Sequence, residues 1–288
     1  MDELLLLMLK KRRREFIRRY PQLACFAFDL ISTEIAVRGR FERAGLECLA
    51  SDLFPRMRNR RLCLDIGANI GNHSLAFADY FDRVLAFEPN PRTFKLLAIN
   101  AELVGNVAPY RLGASNRKET VTAYQDALNL GATTIGRDVA EYRAHNQQGI
   151  ISTVQFEVDR LDDVLSEPDR HRVDFVKLDV EGHEASALEG METILRSSSP
   201  IVAMEAFSSS FKDGTSASME ILRSHGYAHF YGLQDGSENS RLPKFMRKLR
   251  KRIRKRIGSG TRRYALTRLD DVTARYHLML ICSKHAVM

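Results

Sequence analysis

The sequence predicts an α/β fold, a mostly parallel sheet with helices on both faces. Three observations predict it. From Arg61 onward, short apolar runs alternate with stretches of helical apolar spacing. The first unit, RLCLDIGANIGNHSLAFADYFDRVLAFEP (61–89), reads as strand, glycine turn, helix and strand. Acidic residues then fall at or just past the ends of successive strands, the rim where open parallel sheets bind ligands.

Residues 1–20 read as a basic amphipathic helix or a solvated arm. Helical spacing over 23–54, broken at Gly39 and stopped before Pro55, predicts two helices capping an edge or the mouth of the sheet. Strand one is 61–66, a helix spans about 71–80, and strand two is 83–88. Pro91 suits the first turn of a helix over 91–104, and strand three is about 107–113. Thr120–Tyr124 and Ser152–Val158 are rich in β-branched and aromatic residues and read as strands flanking a polar loop over the site. A short helix starts at Leu161. Strand four is 173–178, a helix spans 184–196, strand five is 200–206, a helix spans 216–225 and strand six is 227–233. A basic insertion fills 234–272. A final strand near 276–282, joined without a helix, is expected to run antiparallel, giving seven strands.

In the first unit, Gly67 and Gly71 allow backbone angles and close approaches that other residues resist. Glu88 stands about twenty residues beyond the first glycine, where such folds place the acid that takes ribose hydroxyls. A dinucleotide fingerprint needs a glycine where Asn69 stands, and Asp65 before the turn repels phosphate but suits a cation. The bland alternative is a strand–turn–helix with glycines for packing. The second constellation is Asp179-Val180-Glu181-Gly182-His183-Glu184, with Glu205 ending the next strand. So acidic a turn points to a ligand. The alternatives are a capped helix start with Glu184 in its first turn and a divalent-metal site, for which no ligand geometry is fixed. Gly113–Asn116, Ser115 among them, border the expected base pocket or form an ordinary polar turn.

D-x-G-x-N-x-G followed by E-P resembles the S-adenosylmethionine (SAM) site of Rossmann-like methyltransferases. With LDDVL at 161–165, VKLDVEGHEASALEG and MEAF in order over about 61–233, the chain resembles the FkbM-type family, and 28–49 is similar to the lead-in of members acting on sugars. The resemblance implies the Rossmann-like seven-stranded SAM methyltransferase sheet, with a lead-in at 1–56 and a methyltransferase domain at 57–288. It implies O-methylation of a hydroxyl on a saccharide, glycolipid or related metabolite. It carries Asp65, Gly67, Asn69, Gly71 and Glu88 over as SAM-site residues and Asp179, Glu181 and His183 as the acceptor-side motif. His183 is the first candidate base, because its ordinary pKa suits the task, with Asp179 or Glu181 second. RNA or protein methylation, and a non-catalytic SAM- or nucleotide-binding module on membranes, are the other readings.

Charge separates the chain into parts. The formal net charge is +8, but residues 10–19 hold seven cations and one acid, and 244–268 hold twelve cations and no acid. The remainder carries −10, which argues against a protein-wide nucleic-acid footprint. Phe245, Leu249, Ile253 and Ile257 form one stripe among cations, the pattern of a membrane-surface helix over 244–257. Four scattered cysteines read as reduced thiols. No apolar run reaches the roughly 18 residues of a membrane span, and the order of charges at the start is the reverse of a secretory signal. A cytoplasmic protein with peripheral contact on the inner membrane face is expected.

Overall fold

The structure, a computed structural model, describes residues 2–126, 129–135, 151–206, 215–235, 264–270, 272 and 277–287. Strands β1 (Leu62–Ile66), β2 (Arg83–Phe87), β3 (Val107–Tyr110), β8 (Val173–Leu178) and β9 (Ile201–Ala206) lie parallel. Strand β12 (His277–Ser283) is antiparallel to β9 and to β10 (His229–Asp235). With β11 (Tyr264–Leu269) at the edge, the order across the sheet is β11-β10-β12-β9-β8-β1-β2-β3.

The expected antiparallel last strand is present, but among the described residues the sheet has eight strands rather than seven. The extra one, β11 (Tyr264–Leu269), lies inside the span read as basic insertion and pairs antiparallel with β10. Its neutral face is hidden in sequence by the cations around it. The rest of that insertion, with the stripe at 244–257, lies outside the described residues.

Every residue of β1 is buried, as expected for a parallel strand covered on both faces. Leu62, Leu64 and Ile66 join one core, while Cys63 joins the other. Alternation therefore feeds both helical layers. The second core centres on Phe54, whose ring lies 5.3–6.0 Å from those of Phe77, Phe81 and Phe175. Phe54 follows α3 (Arg43–Cys48), so the lead-in completes this core.

Two asparagines fasten the lead-in. Asn72 accepts from the Phe41 amide at 3.1 Å and donates to the Phe41 carbonyl at 3.0 Å. Asn100 accepts from the Ala24 amide at 2.7 Å and donates to the Ala24 and Ile70 carbonyls. Ile31 and Phe41 thereby stand in the wall of the cavity beyond the strand ends, so the lead-in caps the mouth rather than a sheet edge.

Three further expectations change. Strand three stops at Tyr110; Gly113–Ala114 (β4) pairs instead with β7 (Ile151–Asp159) in a second sheet, ordered β4-β7-β5-β6. The loop between β5 (Glu119–Asp126) and β7 contains a strand of its own, β6 (Asn129–Thr134). The helix expected over 184–196 is two, Glu184–Glu189 and Glu192–Ser197. The break is at Gly190, where an added Cβ would lie 1.9 Å from the Ser115 carbonyl oxygen. Asp162 of the LDDVL motif caps the second helix, accepting from the Thr193 and Ile194 amides.

Candidate functional site

The glycine turn is built by backbone demands. Gly67, Asn69 and Gly71 all have positive φ, at 77°, 52° and 88°. At Gly67 a Cβ would lie 1.8 Å from the Asp179 carbonyl oxygen, so the first turn and the acidic turn after β8 touch backbone to backbone. Glu88 fixes the turn from the next strand. One carboxylate oxygen accepts from the Asn69 amide and the other from the Asn90 amide, each at 2.9 Å. Burial drives the Glu88 pKa up to about 7, and those two N–H groups only partly offset it.

A cavity of about 970 Å³ of non-atom space, its open side included, lies between these turns. That is within the range of ligand pockets. Its floor carries Gly67, Asn69, Glu88, Asp179, Glu181 and His183. Phe156 and Val158 of the second sheet, with Pro89, form an apolar side. Glu181 stands at φ 55° and Gly182 at φ 100°, a tight left-handed pair that turns the chain into the following helix. Glu184 accepts from the Gly182 amide at 3.1 Å and serves that turn.

Three of the expected site residues are not on this wall. Asp65 is 0% exposed; it accepts from the Ser74 hydroxyl at 2.6 Å and lies 3.7 Å from the Lys177 ammonium. It is the last but one residue of β1, so the pleat aims it beneath the turn. Gly71 begins α4 (Asn72–Phe77), where a Cβ would meet Leu97 at 2.8 Å. Ser115 is buried, and its hydroxyl lies 3.0 Å from His183 Nε2. Gly113 and Ala114 are on the wall, while Asn116 donates to Glu189. Glu205 hydrogen-bonds Asp179 from the end of β9.

Sequence reading missed Lys177 and His73. The Lys177 ammonium, 6% exposed, lies 3.0 Å from Asp179 and 3.4 Å from the Gly67 carbonyl. Burial opposes its charge, but Asp179 and Asp65 outweigh burial and raise its pKa. Burial would likewise raise Asp179; Lys177 overrides it and the net shift is downward. A lysine inside the apolar run VDFVKL was the available signal, since lysine is rarely buried unpaired. His73, also on the wall, has Nε2 3.3 Å from Glu42. His183 titrates below its ordinary value because of burial, with Glu119 and Glu189 pulling the other way. Its ring is therefore neutral at pH 7.

The donor set favours a cation over a diphosphate. Glu88, Asp179 and Glu181 face the cavity, and the buried Lys177 ammonium is already taken by Asp65 and Asp179. A sulfonium or ammonium fits these carboxylates, and a ribose fits the lone pairs left on Glu88. Among the described residues no cluster of His, Cys, Asp and Glu suits a metal ion.

Residues 65–252, about two thirds of the chain, match the Methyltransferase FkbM domain. The chain is 30% identical over 135 residues to the hexuronic acid methyltransferase AglP of Haloferax volcanii, covering 46% of this chain and 51% of that protein. It is 31% identical over 143 residues to Methyltransferase 1 of Beauveria bassiana, covering 45% and 57%. The chain thus spans little more than half the length of these curated relatives. The crystal structure of methyltransferase FkbM from Methylobacillus flagellatus is similar at 18% identity with a TM-score of 0.39, over 61% of this chain and 40% of that one. On the domain match, this chain belongs to the FkbM family of SAM-dependent methyltransferases.

Proposed function

We propose that this protein transfers a methyl group from SAM to a hydroxyl oxygen of a saccharide, glycolipid or related metabolite, with 57–288 as the catalytic unit. The carrying observation is His183, neutral, on the cavity wall beside Asp179 and Glu181, with Nε2 already engaged by Ser115. Similarity to a hexuronic acid methyltransferase supports a sugar acceptor.

When bound, SAM supplies an electrophilic methyl on a positively charged sulfur. Glu88 holds ribose hydroxyls, Pro89, Phe156 and Val158 shelter the base, and the carboxylates of the acidic turn balance the positive charge. His183 takes the proton of the acceptor hydroxyl, which makes the oxygen nucleophilic; such a base is worth about 10²–10⁴ in rate. Asp179 and Glu181 hold neighbouring hydroxyls of the acceptor, and the lead-in and second sheet keep water out. Contact of 244–257 with an anionic membrane, on the inner face in a cytoplasmic setting, fits an acceptor built on a lipid.

Incubation of the purified chain with methyl-labelled SAM and separate hexuronic acid, neutral hexose, glycolipid, RNA and protein fractions tests this. Label in a carbohydrate-bearing fraction is expected. Label in RNA or protein alone, or in none, overturns the reading.

A further inference from the structure

We propose that the N-terminal helix is a docking element for an anionic lipid bilayer, and that the lead-in carries this contact to the mouth of the site. Helix α1 (Asp2–Phe16) exposes five consecutive large apolar side chains, Leu4 to Met8, each 52–65% accessible. Five residues at 1.5 Å rise make a block about 7.5 Å long that is apolar on every side. Solvent gives no reason for such a block, since an amphipathic helix on a water-facing surface turns only one stripe inward.

After the half-buried Leu9 come Lys10, Lys11, Arg12, Arg13 and Arg14, all exposed. Apolar and cationic parts are therefore separated along the axis, not around it. Asp2 and Glu3 precede the block, so both of its ends are charged. Such a helix binds a headgroup boundary by immersing Leu4–Met8 while the cations reach lipid phosphates.

The base of the helix is fixed. Phe16 is buried, its ring 5.6 Å from that of Tyr20. The guanidinium groups of Arg19, Arg40 and Arg43 lie 5.1–5.7 Å from the Tyr20 ring centroid, tying α1 to the lead-in. On the same lead-in, Phe28 is 99% exposed at φ 66° and Leu30 is 65% exposed. The next residue, Ile31, is already in the cavity wall. An apolar rim thus reaches the mouth, and a lipid-carried acceptor held at the bilayer would meet it.

A second copy of the chain is the poorer occupant. Five side chains bury far less than the about 1,200 Å² of a stable interface, and parallel pairing would set the cationic segments side by side. Anionic lipid matches both halves of the helix, the apolar block by burial and the cations by attraction to the charged surface.

The test is flotation of the full chain with vesicles of phosphatidylcholine alone and of phosphatidylcholine with phosphatidylglycerol. Binding to the anionic vesicles only is expected. Combined Leu4→Ser, Leu5→Ser, Leu6→Ser and Leu7→Ser should weaken it at least about ten-fold, as should Lys10→Gln, Lys11→Gln, Arg12→Gln, Arg13→Gln and Arg14→Gln together. Wild-type flotation by the leucine variant overturns the proposal. So does loss only in Leu249→Glu with Ile253→Glu, or a leucine variant that changes only sedimentation mass. The use made of docking rests on the proposed methyl transfer. Calorimetric SAM binding without vesicles separates the two: absent SAM binding with intact flotation would sink the catalytic reading alone.

Discussion

The Ser115 hydroxyl lies 3.0 Å from Nε2 of His183, across 68 residues of sequence. Where Nε2–H donates to the Ser115 hydroxyl, Nδ1 is the unprotonated ring nitrogen left to take a proton from an acceptor hydroxyl; the opposite direction would put the proton on Nδ1. Ser115 also belongs to the backbone that packs on Gly190, at the end of the helix His183 opens. In the proposed mechanism Ser115 therefore positions His183.

His183→Ala should lower kcat by about 10²–10⁴, and Ser115→Ala by about ten-fold, with SAM affinity unchanged in both. Saturating kinetics and calorimetry read this out. Lost SAM affinity in Ser115→Ala would return that serine to the cofactor site. Because burial lowers the His183 pKa, the wild-type rate should rise with pH below about 6.5 and be level at 7.

SAM affinity should depend on pH through Glu88. Only the ionised carboxylate accepts hydroxyl hydrogen bonds at both oxygens while holding Asn69 and Asn90. With its pKa pushed up to about 7 by burial, Glu88 gains its proton in the neutral range. The apparent Kd should fall as pH rises, by up to about ten-fold per unit below 7, and level off above. Glu88→Gln should bind weakly and show no such slope.

Lys177→Met should destabilise the fold by about 3–5 kcal/mol, since it strands Asp65 and leaves Asp179 without its nearest cation. Denaturant unfolding measures it. Adding Asp65→Asn should recover part of the loss; strict additivity of the two substitutions would show that the pair is not coupled.

Gly67→Ala and Gly182→Ala separate contact from conformation. Both glycines have positive φ, but a Cβ at Gly182 meets nothing within 4 Å, while at Gly67 it meets the Asp179 carbonyl at 1.8 Å. Gly182→Ala should cost about 1–2 kcal/mol. Gly67→Ala should cost more and also remove SAM binding, because the two turns must part.

Strands β1, β2, β8 and β9 as successive elements of the chain, the antiparallel last strand and the positions of both cavity-facing turns were legible in the residues alone. These rest on local signals: apolar runs, paired glycines, and acids at strand ends, each readable within a few residues. Tertiary structure decided which side of a turn each acid faces. Asp65 and Glu88 look alike in sequence, yet the pleat and the neighbouring Lys177 bury one beneath the turn and leave the other on the cavity wall. It likewise decided that Ser115 meets His183, that Gly190 breaks a helix, and that β4 leaves the main sheet for a second one. All of these depend on what packs across the chain rather than along it. A side chain's partner far away in sequence leaves no periodic or spacing mark at its own position.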